Sequence, residues 1–510
     1  MDLQHALVLL NSTIDEVSTK FRRVPGSSIL LRYVQNSYQN DPIRSVVELC
    51  LFLFAVRYLL APRYSTKQKS MDLTEEEIDE LVEEWSPEPL VAPSTELEVF
   101  EEERRPIIAG PTGPRVKLAN GKSVTNLAST NYYNLVANEL IKERGVQVLR
   151  SYGVGACGPP NFYGTQDVHM DTEKEIARFL GVEACIVYAQ AFSTISSVIP
   201  AFSKRGDIII ADRAVNFSIQ KGLQVSRSTV RWFNHNDMED LERVLTQVAK
   251  EQKRKPLTRR FIVTEGLFEN TGDMPDLAKI IELKNRFKYR LILDETHSFG
   301  VLGRTGRGAT EHQNIDTTHV EMLIGSLSHA LCAGGGFCAG TLEVVEHQRI
   351  SSSAYVFSAA LPAMLSVAAA ESVKLLESNP ELITDLREKM RLFRQQLERC
   401  EHILISSAPE NPRCLFYLKN DIFEQKGADI EERVLVDIVD ECMGSGVMIS
   451  RVKKVKDSSA TDFAPGRRFG WEGPPMLMAS VTVGHSKKDV EAGGSVIRKA
   501  VGKVLGRMKK

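Results

Sequence analysis

From about residue 105 onward the chain alternates short apolar runs with helical stretches, and this alternation constrains its fold more than any other feature. The strand-like runs are 184–188, 207–211, 229–233, 260–264, 290–294, 322–325 and 336–340. Segments with helical spacing, such as 238–251 and 277–286, lie between several of them. Runs that are apolar at nearly every position suit strands buried on both faces, and intervening helices supply the crossovers that parallel strands require. The pattern predicts an α/β protein with a mostly parallel seven-stranded sheet covered on both sides. Ligands in such sheets bind at the carboxyl ends of strands, which is where Asp294 and His297 fall. A large domain over 105–385 is expected, followed by a smaller C-terminal α+β domain over 386–510, where helix, strand and helix signals succeed one another.

The 510 residues, 43% hydrophobic and 25% charged, are enough for an extensive core and at least two domains. The net charge is −2 and the charges are dispersed along the chain, so no polyanion is suggested and nucleic-acid binding is not expected. The eight cysteines are scattered without a C-x-x-C pair, which predicts no metal site and points to small buried residues in a reducing compartment.

The first hundred residues differ. After an N-terminal segment, 1–44, residues 45–61 read SVVELCLFLFAVRYLLA. As a helix this stretch would span about 26 Å, slightly less than a bilayer core of about 30 Å. Glu48 and Arg57 would each cost roughly 2.5–3.5 kcal/mol at the bilayer centre, but an arginine near a helix end can snorkel to the interface. A transmembrane helix over 45–61 is predicted; the alternatives are a helix lying in the membrane plane or covered by a partner, and an ordinary core helix. The stretch starts too far from Met1, and lacks the small-residue cleavage site, for a signal peptide. Arg63, Lys67 and Lys69 follow it against Arg44 before it, so the positive-inside rule places the large C-terminal part in the cytosol. The next segment, 62–104, reads as an amphipathic helix and a linker. Thr74 and Glu77 form a capping box, Ile78, Leu81, Val82 and Trp85 share one helical face, and Pro87, Pro89 and Pro93 mark an extended connection.

Two motifs carry chemistry. RLILDETHSFG (290–300) is followed by MLIGSLSHA (322–330) and by Gly334, Gly335 and Gly336. This order resembles the pyridoxal-phosphate (PLP) enzymes of fold type I, in particular the α-oxoamine synthases. The resemblance implies that Asp294 faces the pyridine nitrogen, that His297 touches the ring hydroxyl, and that a lysine should follow Ser328. The residue there is His329. A carboxylate on the pyridine nitrogen keeps the ring cationic, which stabilises a carbanion, but the chemistry begins with a lysine Schiff base that an imidazole cannot form. The family's ring-stacking histidine lies in D-x-x-x-H-x-S; the matching stretch is DRAVNFS (212–218), with Asn216 in its place. Arginines that active relatives carry near Pro160 and Met478 are also absent. Taken singly, an Asp-Glu after a strand reads as structural, and His329 as a tolerated replacement. The spacing of D-E-T-H-S-F-G with the serine-rich and glycine-rich motif carries the fold reading. The three glycines suit a close backbone approach or a tight turn better than a phosphate contact.

Within that group, residues 85–510 are similar to the first long-chain-base subunits of the serine palmitoyltransferase family. The segments that carry the similarity include EWSPEPLV (84–91), YGVGACGP (152–159), FYGT (162–165), SKRGD (203–207), QKGL (220–223), HNDMEDLE (235–242) and SFGVLG (298–303). The resemblance implies a non-catalytic subunit of a heterodimer that condenses L-serine with palmitoyl-CoA to 3-ketodihydrosphingosine, CO2 and CoA. PLP would be bound covalently by a lysine-bearing second long-chain-base subunit, leaving Asp294 and His297 vestigial. It further implies a small activating subunit, Orm-type regulators, and a single-pass placement in the endoplasmic reticulum membrane. Because fold type I sites lie at subunit interfaces, Cys157, Gly155 and Tyr163 are expected near the shared site, and Ser358, in YVFSAALP (355–362), near the partner's cofactor phosphate or at a helix N-terminus. Two rivals stand beside this reading: a membrane scaffold or regulatory pseudoenzyme, and a self-sufficient synthase using another lysine, of which Lys221 is the nearest in sequence.

Overall fold

The computed structural model describes residues 20, 25–61, 73–85, 93–419, 428–453 and 473–508. Arg63, Lys67, Lys69, Pro87, Pro89 and most of the EWSPEPLV segment lie outside the described residues. The chain forms two compact units, Met1–Pro93 and Ser94–Lys510.

The first unit is helical. Ser27–Asn40 is followed by Pro42–Leu60, whose start is fixed by Asp41: its carboxylate accepts from the backbone N–H groups of Ile43 and Arg44 at 3.1 Å, and Pro42 sits where a missing N–H costs nothing. Arg44 and Glu48 pair at 2.9 Å one turn apart. No side chain of this helix is buried, so its phenylalanines and leucines face outward. Among the described residues no helix is long and apolar enough to cross a membrane; Arg44, Glu48 and Arg57 interrupt this one. Helix Glu75–Glu84 is opened by the capping box, Thr74 N–H to Glu77 at 2.8 Å and Glu77 N–H to the Thr74 hydroxyl at 3.3 Å. Its apolar face, with Val82 64% and Trp85 71% exposed, is uncovered.

The second unit is built on a seven-stranded sheet: β3 (Ala184–Tyr188), β4 (Ile208–Asp212), β5 (Thr229–Phe233), β6 (Arg260–Glu265), β7 (Arg290–Asp294), β8 (Met322–Ser326) and β9 (Gly336–Gly340), in the order β3-β9-β8-β7-β6-β4-β5. Strands β5, β4, β6, β7 and β8 run parallel, while β9 is antiparallel to both neighbours. The reversal has a local cause. Only residues 327–335 join β8 to β9, closed by Leu327 N–H to Gly335 O and Ala333 N–H to Leu327 O at 2.9 Å, and a parallel return needs a longer crossover. Along β4, Ile208 and Ile210 enter one core cluster while Ile209 and Ala211 enter the other, so both faces of the sheet are covered. Each such aliphatic side chain contributes about 1.5–3 kcal/mol on burial.

Two smaller sheets complete this unit. The first joins β1 (Arg115–Lys117), β2 (Ser123–Asn126) and β12 (Val447–Met448). The second is antiparallel, ordered β10 (Ile403–Ile405), β11 (Arg413–Leu418), β14 (Met476–Ser480), β13 (Ser450–Val452). The unit's edge lies at Ser94, and helix Glu96–Glu103 is part of it. Glu101 of that helix grips the Arg451 guanidinium of β13 through two hydrogen bonds, 2.6 and 2.8 Å, with Arg451 8% exposed.

A lysine-less cofactor site

Asp294 closes β7, and the parallel register sets Glu265, the last residue of β6, beside it. Two buried carboxyls side by side in an apolar sheet cannot both be charged cheaply. Burial first, and the Asp294 charge second, push Glu265 well above the carboxylate range. Burial raises Asp294 too, against the hydrogen bonds it accepts from Thr296 and Asn216. Asn216 holds the pair together. Its side-chain amide donates to Asp294 at 2.8 Å, its backbone N–H donates to Glu265 at 2.7 Å, and its side-chain oxygen caps helix Phe217–Ser226 through Ile219 N–H at 3.0 Å. The other Asp294 oxygen takes Thr296 N–H at 2.9 Å.

The two histidines meet. The His297 and His329 rings lie 4.6 Å apart, edge to face at 65°. His329 Nδ1 is 3.0 Å from the Ser326 hydroxyl, which also bonds Ser328 at 2.7 Å. Burial, with His297 second, depresses His329 to about 3, and burial followed by the Arg413 charge lowers His297. Both imidazoles are therefore neutral at physiological pH. His297 Nε2 stands 3.9 Å from a Glu269 oxygen, while its Nδ1 is buried without a partner.

No motif in the sequence marks Glu265, Glu269 or Arg413. The expected strand stopped at 264, one residue short of Glu265, and Arg413 comes from a strand in the other sheet. The missing arginine near Met478 is partly answered by it: β11 lies against β14, and Arg413 Nε reaches the Met478 sulfur at 3.5 Å.

These residues do not fit covalently bound PLP. Where the resemblance expects a Schiff-base lysine stands the His329 imidazole, packed on His297, and the Asp294 carboxylate that would face a pyridine nitrogen accepts from the Asn216 amide. Lys221 does not repair this. It lies half-buried on helix Phe217–Ser226, with its ammonium 3.2 Å from Gln224 and 4.9 Å over the Phe217 ring. The glycines serve backbone packing: Gly335 has φ +95°, and a Cβ there would stand 2.5 Å from the Tyr188 carbonyl oxygen. Among the described residues no cluster of His, Cys, Asp or Glu could hold a metal ion.

Cys157, Gly155 and Tyr163 lie on one segment and Ser358 on another, and one backbone hydrogen bond joins the two segments. Ala360 N–H donates to Gly158 O at 2.9 Å, tying the 153–159 loop to the segment that carries Ser358. Cys157 is exposed and left-handed at φ 58°, Gly155 is open, and Tyr163 is 93% exposed. Ser358 lies between helices Ser353–Val356 and Ala363–Ser378; the 355–362 stretch ends at Pro362, the N-cap of the second helix, with Ser358 four residues before it.

Behind the site, His235 bridges Asp212 at 2.9 Å and Asp273 at 3.1 Å. Burial alone would lower it, but the two carboxylates outweigh burial and raise it to about 9. The bridge ties the end of β4 to the loop after β6.

The sheet order, the site at the strand ends and the motif spacing fit the fold of the class I and II aminotransferases, with His329 following Ser328 in the serine-rich motif. A family model, Aminotransferase class I and II, matches residues 122–418. Two bacterial serine palmitoyltransferases of known structure superpose on the chain. One, from S. paucimobilis, carries a PLP–myriocin aldimine (TM-score 0.69, 20% identity, 80% of this chain and 96% of that one). The other is from Sphingomonas wittichii (TM-score 0.69, 22% identity, 81% and 96%). Among curated proteins, the chain is 40% identical over 452 residues to Serine palmitoyltransferase 1 of Dictyostelium discoideum (88% of this chain, 92% of the relative). It is 37% identical over 465 residues to Long chain base biosynthesis protein 1 of Arabidopsis thaliana (91% and 93%). The chain belongs to the serine palmitoyltransferase family, on the branch of serine palmitoyltransferase 1 and long chain base biosynthesis protein 1.

Proposed function

We propose that the chain is the non-catalytic subunit of a serine palmitoyltransferase heterodimer, in which a lysine-bearing partner holds PLP and condenses L-serine with palmitoyl-CoA to 3-ketodihydrosphingosine, CO2 and CoA. One observation carries this reading. Asn216 bonds Asp294 where a ring-stacking histidine would stand, and His329 occupies the Schiff-base position. Two groups are changed together, and each has a hydrogen-bond partner within the chain, Asp294 for Asn216 and Ser326 for His329.

In this reading the chain supplies a second wall for the partner's site. The support is the exposed 153–163 loop, its tie to the Ser358 segment, and the apolar surface around Tyr163 and Phe357, the latter 81% exposed. Helix Pro42–Leu60, with its uncovered apolar side chains, attaches the chain to the endoplasmic reticulum membrane with the second unit in the cytosol. A small activating subunit and Orm-type regulators complete the assembly by resemblance. The test expresses the partner with and without this chain and measures condensation of serine with palmitoyl-CoA in each membrane preparation. Activity that depends on co-expression supports the subunit reading; undiminished activity without this chain leaves it a scaffold.

A further inference from the structure

The opposite edge of the seven-stranded sheet carries a second concave site. Because β4, β6 and β7 run parallel, their first residues lie together, one strand length, roughly 15 Å, from Asp294. A cleft of about 610 Å³ opens there, with Phe202, Phe261, Met322 and Val344 among its apolar lining and Arg259 and Arg290 at its rim.

Basic residues stand in the segments that lead into these strands, and two of them, Arg259 and Arg290, line the cleft itself. Lys204 and Arg205 precede β4, Lys253, Arg254, Lys255 and Arg259 precede β6, and Lys288 precedes β7. The turns are laced together: Arg259 N–H donates to Asp207 at 3.0 Å, Ile208 N–H to Arg259 O at 3.0 Å, and the Ser228 hydroxyl to Lys204 O at 3.1 Å. Arg259 is oriented by donating to Phe202 O at 2.9 Å. Arg290 is exposed and makes no side-chain hydrogen bond or ion pair among the described residues, so its planar donor fork is available. The Phe202 ring lies 4.8 Å from that of His347, giving two flat surfaces in one wall.

Three carboxylates also line the cleft. Glu321 is committed to Lys284 at 2.7 Å and to Leu291 N–H, while Glu183 and Glu343 lie beside Gly181 and Thr341. Carboxylate acceptors, exposed arginines and two flat rings in one lining suit a ligand with donors, a planar portion and an anionic group.

We propose that this cleft binds a nucleoside phosphate. The phosphate is held by Arg290 and Arg259, the base lies against Phe202 and His347, and base amino or ribose hydroxyl groups donate to Glu183 or Glu343. The site is separate from the lysine-less site, and this inference does not depend on the condensing role.

The test titrates ADP and inorganic pyrophosphate by calorimetry into the full-length chain in complex with its partner. Variants Arg290→Glu and Arg290→Lys change an exposed side chain without internal contacts, so folding is preserved. ADP binding weakened at least about tenfold by Arg290→Glu, largely kept by Arg290→Lys, and at least about tenfold tighter than pyrophosphate is the expected result. No binding up to ~5 mM, ADP affinity unchanged by Arg290→Glu, or pyrophosphate binding as tightly as ADP would each overturn it. ADP bound elsewhere in the complex is insensitive to Arg290→Glu and so counts against the cleft. Capture of phosphatidylcholine/phosphatidylinositol vesicles that is lost in Arg290→Glu, with no ADP binding, would assign the edge to a membrane instead.

Discussion

Asn216 donates its side-chain amide to Asp294 across 2.8 Å, joining the cap of one helix to the carboxylate at the end of β7. The contact gives the carboxylate a permanent internal partner. The His297 and His329 rings, 4.6 Å apart, likewise fill the neighbouring space with side chains of this chain.

Exchanging the amide for a third carboxyl isolates this role. In Asn216→Asp the donor to Asp294 is lost and a new acid faces two buried ones, a change expected to destabilise the second unit by about 1–3 kcal/mol. The new carboxyl has its folded pKa raised, so the deficit is largest above that pKa and shrinks as pH falls toward the unfolded value near 4. Thermal melts at pH 5 and pH 8 read the difference, and an equal deficit at both would count against the charge argument.

The His235 bridge has the opposite sign. Its folded pKa of about 9 lies above the ordinary value, so its stabilisation is complete below about 6.5 and is lost as pH rises through 9. His235→Gln is expected to cost on the order of 3 kcal/mol at pH 6 and much less at pH 9.5, measured as the difference from wild type in urea unfolding.

His329 behaves in reverse. It is buried neutral at about 3, so unfolding takes up a proton whenever the pH lies below about 6.5. The stability it allows is present above 6.5 and is lost as pH falls toward 3. Replacing it with a non-titrating ring, His329→Phe, should flatten the acid side of the stability curve between about pH 6 and 4 relative to wild type.

Tyr163 and Phe357 are the most exposed aromatic side chains of the surface that carries the 153–163 loop and the Ser358 segment. The double change Tyr163→Ser with Phe357→Ser should leave the melting of this chain within about 0.5 kcal/mol of wild type while lowering the yield of partner on co-purification. Unchanged recovery of the partner would remove this surface from the interface.

Much of the sheet was legible because its signal is local. The runs at 184–188, 229–233, 290–294 and 336–340 match β3, β5, β7 and β9 to the residue; the inner strands β7 and β9 are apolar because both faces are covered, and the edge strand β5 is marked by its β-branched and aromatic residues. The reversal of β9 was not, because direction depends on the length of the connection and not on the strand's composition. Asn216 and His329 stood out against a motif, but their mutual satisfaction did not: Glu265, Glu269 and Arg413 approach them from separate strands and loops, and Arg413 from another sheet. Dispersed charge in the sequence concealed the basic edge, since only the parallel register brings Arg259 and Arg290 to one cleft. The start of the second unit at Ser94 was hidden for a similar reason, as Glu101 finds Arg451 only in the folded chain.

The direct test of the central claim locates the cofactor. The complex of this chain with its lysine-bearing partner, loaded with PLP, is reduced with borohydride, digested, and the pyridoxyl group mapped by mass spectrometry. A pyridoxyl-lysine in the partner alone is expected, with neither labelling nor an absorbance band near 420 nm in this chain purified by itself. A pyridoxyl group on any lysine of this chain, Lys221 included, would contradict that claim.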